Sequence, residues 1–446
     1  MFDKVLIANR GEIAVRIIHA CREMGILSVA VFSEADREAL HVQLADEAVC
    51  IGPAAAKDSY LNIQSILAAC AVTGANAIHP GFGFLSENSS FAHTCRRCGV
   101  TFIGPSAESM EQMGDKATAR ETMKRAGVPV IPGSDGLITD LEQAKEIARS
   151  IGYPVMVKAT SGGGGRGIRK VDTPDQLEGA VAAARAEAAA CFGNDGVYLE
   201  KYIVNPRHIE FQILADSYGN TVHLGERDCS LQRRNQKMIE ESPSPAVDSA
   251  LRERMGEAAV SAAKACNYQN AGTVEFLLDA DNRFYFMEMN TRVQVEHGIT
   301  ELVTGIDIVK NQILIAKGMP LSFAQQDVVL RGHAMECRVN AENPERGFAP
   351  SPGKIHSLFL PCGNGIRVDS AVYSGYTIPP YYDSMIAKVM AYAPDRREVI
   401  QKLKWALAEF LVDGIDTNID FQLSLLREKD FEEGRFDIGY LQRKGY

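Results

Sequence analysis

Short apolar runs alternate with helical patterns through the first third of the chain. Val5-Leu-Ile-Ala, Ser28-Val-Ala-Val-Phe and Ala77-Ile-His read as strands, and the stretches Ile13 to Met24 and Ser59 to Ala71 read as helices. This βαβα rhythm predicts a parallel sheet covered by helices. The first strand runs into Asn9-Arg10-Gly11-Glu12 and a helix, without the three-glycine turn that a dinucleotide pyrophosphate needs. From Gly133 to about Lys201, between Pro132 and Pro206, a compact αβ segment with an Ala-rich helix around Ala180 to Ala190 has the size of a small lid. Period-two patterns, among them His208-Ile-Glu-Phe-Gln-Ile-Leu and Thr273 to Asn290, predict antiparallel strands between Arg207 and Gly318. Further strands follow from Arg331, then a Pro-Pro-Tyr-Tyr turn at 379–382 and a helix from Arg396 to Glu409.

At roughly 150 residues per domain, 446 residues make about three domains. The net charge of -10, with 47 Lys plus Arg against 57 Asp plus Glu, holds no nucleic acid or anionic lipid at long range, so any phosphate recognition must be local. Ten cysteines fall in no framework spacing, which fits a reducing, cytoplasmic compartment; the one CxxC, Cys95 and Cys98, lacks a second ligand pair and reads as structural thiols. The first residues carry charges and no apolar signal core. The longest charge-free run, Ser59 to Ser86, is interrupted by Asn62, Gly74, Asn76 and Pro80 and reads as a helix, a strand and a loop, not a membrane span.

The richest local signal is Tyr153-Pro-Val-Met-Val-Lys158-Ala-Thr-Ser161, four glycines, Arg166-Gly167-Ile-Arg-Lys-Val. Gly162, Gly164 and Gly167 match G-x-G-x-x-G, but a strand follows where a dinucleotide site needs a helix N-terminus. Two strands around a glycine loop make a flap whose backbone N–H groups can close over phosphates, with Lys158 as a point charge beside them. The alternative is a surface hairpin, for which four glycines offer no packing in return. Lys116, after Met113-Gly114-Asp115, could reach a phosphate from the other side or simply begin a solvated helix. No G-x-x-x-x-G-K-[ST] occurs.

Thr273 to Asn290 reads as a hairpin. With a four-residue loop, Ala280 to Arg283, position 279 faces 284, 277 faces 286 and Glu275 faces Glu288, with Asn290 on the same face. Opposed carboxylates need neutralising, and oxygen donors without His or Cys suit Mg2+ or Mn2+. The alternative is a solvent face with two carboxylates. Downstream, Thr291 to His297 alternates strictly, placing Arg292, Gln294 and Glu296 on one face of an expected strand. A glycine flap with lysines plus an acidic metal clamp points to ATP, and a carboxylate beside an arginine next to it could act as a general base for a weakly acidic substrate; an edge strand with an ion pair is the bland reading. From spacing alone, Gln232 to Lys237 and Glu336-Cys337-Arg338 read as solvated faces.

Taken together, I-A-N-R-G-E-I-A at 7–14, H-P-G-F-G-F-L-S-E-N at 79–88, M-G-D-K at 113–116, S-G-G-G-G-R-G at 161–167, E-R-D-C-S-L-Q-R-R-N-Q-K at 226–237, E-M-N-T-R-V-Q-V-E-H at 288–297 and P-P-Y-Y-D-S-M at 379–385 resemble the biotin carboxylase family of the ATP-grasp superfamily, over essentially the whole chain. The resemblance implies an α/β and α+β multidomain fold: a Rossmann-like domain over 1–114, an ATP-grasp domain over 115–318 with a mobile lid at about 133–203, and a C-terminal mixed β/α domain over 331–446. It implies ATP- and bicarbonate-dependent carboxylation of biotin through carboxyphosphate, as the first half-reaction of acetyl-CoA carboxylase in fatty acid synthesis or of a related acyl-CoA carboxylase.

Carried over by position, the resemblance implies that Lys116, Lys158, Gly162, Gly163, Gly164, Gly165 and Gly167 hold ATP phosphates, and that Glu200, Lys201, Ile203, His208, Gln232 and Asn235 surround the nucleotide. Glu275, Glu288 and Asn290 would carry two Mg2+ or Mn2+ ions; Lys237, Arg292, Gln294 and Val295 would hold bicarbonate; Glu296 would deprotonate it; Arg338 would stabilise the biotin enolate. The partners implied are a biotin carboxyl carrier protein, carboxyltransferase subunits and a second copy of the chain. Asn235 stands where many members have His, Phe82 where many have Tyr and Gly298 where many have Pro. The biotin-attachment motif A-M-K-M does not occur, so biotin is expected on another protein. A different ATP-grasp ligase, which would hand the activated carboxylate to an amine, is disfavoured by Arg338 and the 292–296 line. A nucleotide sensor needs no bicarbonate base, and a nicotinamide oxidoreductase fails on the strand after the glycine loop.

Overall fold

The computed structural model describes residues 2–159, 168–192 and 195–446, with 190–192 described by backbone alone. The expected opening sheet is present: strands β1 (Lys4–Ile7), β2 (Leu27–Ser33), β3 (Glu47–Gly52), β4 (Ala77–His79) and β5 (Thr101–Phe102) pair in parallel in the order β3-β2-β1-β4-β5. Helix Gly11–Glu23 presents Ile13, Ala14, Ile17 and Ile18 to this sheet, three and four residues apart as a buried helix stripe requires. The expected helix at Ser59 begins at Ile63, where Asn62 caps it by accepting from the Ser65 N–H.

Strands β6 (Val155–Ala159), β7 (Ile168–Val171) and β8 (Val197–Lys201) form a small antiparallel sheet backed by helices Leu141–Ile151 and Leu177–Phe192. The β6–β7 pairing runs from Val155↔Val171 to Lys158↔Ile168, so Lys158 belongs to its last pair. The glycines themselves, Gly162, Gly163, Gly164, Gly165 and Gly167, lie outside the described residues.

The structural centre is an eight-stranded antiparallel sheet. Strands β9 (Arg207–Ala215), β10 (Thr221–Arg233), β11 (Gln236–Ser242), β12 (Asn270–Leu278), β13 (Phe284–Asn290) and β14 (His333–Asn340) join Met385–Ala393 and Ile366–Ser370, in the order β13-β12-β9-β10-β11-β14 and then those two. The sheet runs without a break from the middle of the chain into its last third through the β11–β14 pairing. On β9, Ile209, Phe211 and Ile213 enter the apolar core with Phe276 and Phe284, each buried aromatic contributing about 1.5–3 kcal/mol. On β14, Met335, Cys337 and Val339 do the same against helix Arg396–Glu409.

Three sequence expectations need correcting. The segment Thr291–Glu296 is not a strand: it is irregular and leads into helix His297–Thr304. Its alternation arises because it is buried on more than one side, with Thr291, Val293, Gln294, Glu296 and His297 all covered. The solvated reading of 232–237 and 336–338 holds at Arg234, Asn235 and Gln236, which are exposed around the β10–β11 turn, but not within the strands, where Glu336 is fully buried and Lys237 and Arg338 are largely enclosed. At the β12–β13 hairpin, 276 pairs with 286 and 278 with 284, one residue off the expected register. The turn is Asp279 to Arg283, closed by the Asp279 carboxylate on the N–H groups of Asp281 and Arg283, with Asn282 left-handed at φ 59°. A bulge at Met287 then restores the opposition of Glu275 and Glu288.

Among the described residues no helix is long and apolar enough to cross a membrane. Their cysteines are unpaired, and burial pushes the Cys95 thiol up to about 12.

Candidate active site

The face of the large sheet opposite its core is polar and still buried. On β9 it carries His208, Glu210 and Gln212, and segment 291–296 lies in contact with it. A buried charge must be paired, and Arg227 of β10 meets that demand with every guanidinium N–H. It donates to Glu210 at 2.5 Å, to Gln212 and Thr300 at 2.8 and 3.0 Å, and to Thr273 and Gln294 at 3.2 and 3.0 Å.

Lys237, at the start of β11, lies among three carboxylates. Its ammonium is 2.6 Å from Glu210, 2.6 Å from Glu296 and 3.2 Å from Glu275. Burial disfavours its charge, but Cys229 and these carboxylates together raise it well above the ordinary lysine value. Glu296 is the mirror case: burial works against its charge, yet Lys237, Arg338 and Arg227 hold it well below the usual carboxylate range. Arg338, on β14, is 3.0 Å from Glu296 and 2.5 Å from Glu240, whose carboxyl burial lifts to about 7.

Glu275 accepts from the side-chain amides of Asn290 and Gln294, each at 2.8 Å, and lies 3.0 Å from His208. Asn290 turns its other amide atom to Arg292 at 3.0 Å. Glu288 is pushed up by burial and by the Glu275 charge facing it. Two opposed carboxylates with an amide oxygen beside them are hard oxygen donors, and a divalent cation would relieve the repulsion that raises Glu288. The set therefore fits Mg2+ or Mn2+. Arg292 itself is aimed by Glu87, which receives the guanidinium at 2.8 Å and the Thr291 N–H at 3.0 Å.

On the other side, Lys116 is the first residue of helix Lys116–Arg125, capped by Asp115 accepting from the Thr118 N–H at 2.7 Å. Lys158 pairs with Glu200 at 2.5 Å across β6 and β8. One cavity of about 2080 Å³ brings together Lys116, Lys158, Glu200, His208, Gln232, Asn235, Lys237, Glu275, Glu288, Asn290, Arg292, Gln294, Val295, Glu296 and Arg338. Lys201 and Ile203 are not in its wall; the Lys201 ammonium is spent on the carbonyls of Gly152 and Tyr153 at 2.9 Å.

The three departures are local. Arg234 and Asn235 both take positive φ, 49° and 66°, in the two-residue turn between β10 and β11, a turn that favours Asn among residues other than Gly. Phe82 lies in the cavity wall. At Gly298 a Cβ would come within 2.4 Å of Met390 Sδ, so Met390 fills the space a larger residue would take.

Sequence reasoning missed Glu210, Arg227, Glu240 and Glu87. For Glu210 a signal existed, since period two sets His208, Glu210 and Gln212 on one face of a strand whose other face carries Ile209, Phe211 and Ile213. Glu87 and Arg227 fall inside the motif blocks at 79–88 and 226–237, but no spacing gives them or Glu240 a role, because their partners lie tens to hundreds of residues away.

Three family descriptions match: "Biotin carboxylase, N-terminal domain" over residues 1–110, "Carbamoyl-phosphate synthase L chain, ATP binding domain" over 115–324, and "Biotin carboxylase C-terminal domain" over 336–443. The chain is 60% identical to Biotin carboxylase 1 of Bacillus subtilis, across 99% of this chain and 98% of that one. The crystal structure of a Campylobacter jejuni biotin carboxylase complex superposes with a TM-score of 0.92 at 50% identity, covering 99% of each chain. The biotin carboxylase domain dimer of Hydrogenobacter thermophilus 2-oxoglutarate carboxylase, solved with Mg-ADP, ADP and bicarbonate, superposes at 0.90 and 50% identity, covering 100% of this chain and 98% of that one. With its whole length so matched and its charged residues gathered in one ATP-grasp cavity, the chain belongs to the biotin carboxylase family.

Proposed function

We propose that this chain carboxylates biotin presented by a carrier protein, using ATP and bicarbonate, as the first half-reaction of acetyl-CoA carboxylase or of a related acyl-CoA carboxylase. The observation that carries the reading is Glu296, a buried carboxylate 2.6 Å from Lys237 and 3.0 Å from Arg338, in the same cavity that Lys116 and Lys158 line.

Lys237, Arg292, Gln294 and Val295 hold bicarbonate, and Glu296 takes its proton. In the resting arrangement its cations make Glu296 a weak base. An anion that draws the hydrogen bonds of Lys237 and Arg338 to itself returns basicity to Glu296 at the moment of binding. A bicarbonate oxygen then bonds to the γ-phosphorus as the bond to ADP breaks, giving carboxyphosphate. This decomposes to CO2 and phosphate, the phosphate removes the ureido proton of biotin, and Arg338 stabilises the resulting oxyanion while the nitrogen bonds to CO2. Lys116, Lys158 and the glycine loop bind the ATP phosphates, and Glu200, His208, Gln232 and Asn235, which line the cavity, surround the nucleotide. Glu275, Glu288 and Asn290 would hold Mg2+, which when bound neutralises phosphate charge.

The reading divides the chain at 1–114, 115–318 and 331–446, with the lid at about 133–203. It places the protein in the cytoplasm as a homodimer working with carrier and carboxyltransferase subunits. ADP release by the purified chain with Mg-ATP, with bicarbonate and biotin each present or omitted, tests it. Turnover that requires bicarbonate, rises with biotin and is lost in Glu296→Gln is expected; turnover indifferent to both would overturn it.

A further inference from the structure

Behind Glu296 lies a second charge cluster that the proposed chemistry does not use. Its centre is Lys388, fully buried on strand Met385–Ala393, where it pairs across the sheet with Arg338. Its ammonium lies 3.2 Å from Glu12, in the first turn of helix Gly11–Glu23, and 3.6 Å from Asp369 on the edge strand. Neither contact has hydrogen-bond geometry; the lysine's hydrogen bond, at 2.7 Å, goes to the backbone carbonyl of Val295, the residue before Glu296. The preceding carbonyl, of Gln294, accepts from His297 Nδ1 at 2.8 Å. Both carboxylate oxygens of Glu12 and of Glu336, which shares the face of Lys388, have no hydrogen-bond partner. Three parts of the chain thus converge on one ammonium, and its directional contact is with the turn that carries the base.

We propose that Lys388 is a positioning residue for biotin carboxylation: anchored between Glu12 and Asp369, it fixes the Val295 carbonyl and so sets the aim of Glu296. This rests on the reading of Glu296 as the bicarbonate base. Charge neutralisation alone would be served by the carboxylates around Lys388; the bond to a backbone carbonyl adds direction, and misplacing a reacting group by about 1 Å costs about 100-fold in rate.

The test is the double variant Lys388→Met with Glu12→Gln, which removes the donor and one of its counter-charges together. Binding of Mg-ATP by calorimetry reports that the chain is folded. The expected result is ATP affinity within about twofold of the parent, with kcat/KM for bicarbonate lowered about 10- to 100-fold. A packing role predicts that removing both charges restores the bicarbonate parameters, so parent values in the folded double variant would overturn the proposal. If the double variant does not bind ATP, Lys388→Arg, which keeps the charge but displaces the carbonyl, is judged by the same two results. Glu296→Gln is assayed in parallel. If it retains bicarbonate-dependent turnover, the base assignment has failed; if it is inactive while the Lys388 variants match the parent, only the positioning role has failed.

Discussion

Two sets of charges face the same cavity and are built differently. Lys158 and Glu200, on the small three-stranded sheet, meet at 2.5 Å with side chains 27% and 11% exposed. Across the cavity, Glu210 and Glu240 are 0% exposed and Glu296 2%, and their cations Arg227, Lys237 and Arg338 each serve two or more partners. A half-open pair is screened by water and easily rearranged by an entering phosphate. A closed cluster sits in a low dielectric where each interaction is strong and each unpaired group is costly. The Lys158 side of the cavity is thus adaptable, whereas the Glu296 side is fixed in advance.

The contrast is sharpest in activity. Glu296→Gln is expected to lower bicarbonate-dependent ADP release about 10²–10⁴-fold while leaving ATP binding near the parent value; steady-state kinetics beside calorimetry would check both. Next in size is stability. Lys237→Met leaves three carboxylates around an empty centre and should cost about 3–5 kcal/mol in chemical denaturation. Lys158→Met should cost no more than about 1 kcal/mol by the same measurement. In kinetics the Lys158 variant should raise the KM for ATP about tenfold, the worth of one charge-assisted hydrogen bond. Equal stability losses in the two variants would erase the distinction.

Mild acid should have the smallest effect. Burial pushes His41 and His223 down to about 4 and His79 to about 3, and holds His297 well below its ordinary value. These rings stay neutral in the fold but charge in the unfolded chain below about pH 6.5, so their contribution is complete above that pH and lost as pH falls toward 4 and 3. Glu12 and Glu240, raised by burial to about 6 and about 7, act oppositely: above about pH 4.5 they keep protons the unfolded chain releases, so stability rises as pH falls through that window. The two sets oppose one another down to about pH 4.5, below which the histidine loss is joined by that of carboxylates held low by their cations, Glu296 and Glu275 among them. The melting temperature should be nearly flat from about pH 7 to 5 and fall steeply below about 4.5. A steady fall from neutral pH would mean that Glu12 and Glu240 are ionised in the fold.

What the sequence made legible was local. Helix Arg396–Glu409 and the parallel opening sheet follow from residues close together in the chain, and the motif blocks marked nearly half of the cavity wall. The opposition of Glu275 and Glu288 was expected, but from a register that holds only because the bulge at Met287 offsets a turn one residue longer. Arg338 and Lys237 read as surface charges because their counter-charges come from elsewhere: Glu240 is 98 residues from Arg338, and Glu296 is 59 from Lys237. Alternation at 291–297 mimicked a strand because period two cannot tell inside-versus-outside from two different insides.

If the closed cluster makes bicarbonate a nucleophile toward the γ-phosphate of ATP, an oxygen of bicarbonate must end on phosphorus. Turnover with 18O-labelled bicarbonate, followed by mass spectrometry of the released phosphate, tests it most directly. The account predicts one bicarbonate-derived 18O in each phosphate, since carboxyphosphate passes its bridging oxygen to phosphorus when CO2 leaves. Phosphate carrying oxygen from water alone would contradict it.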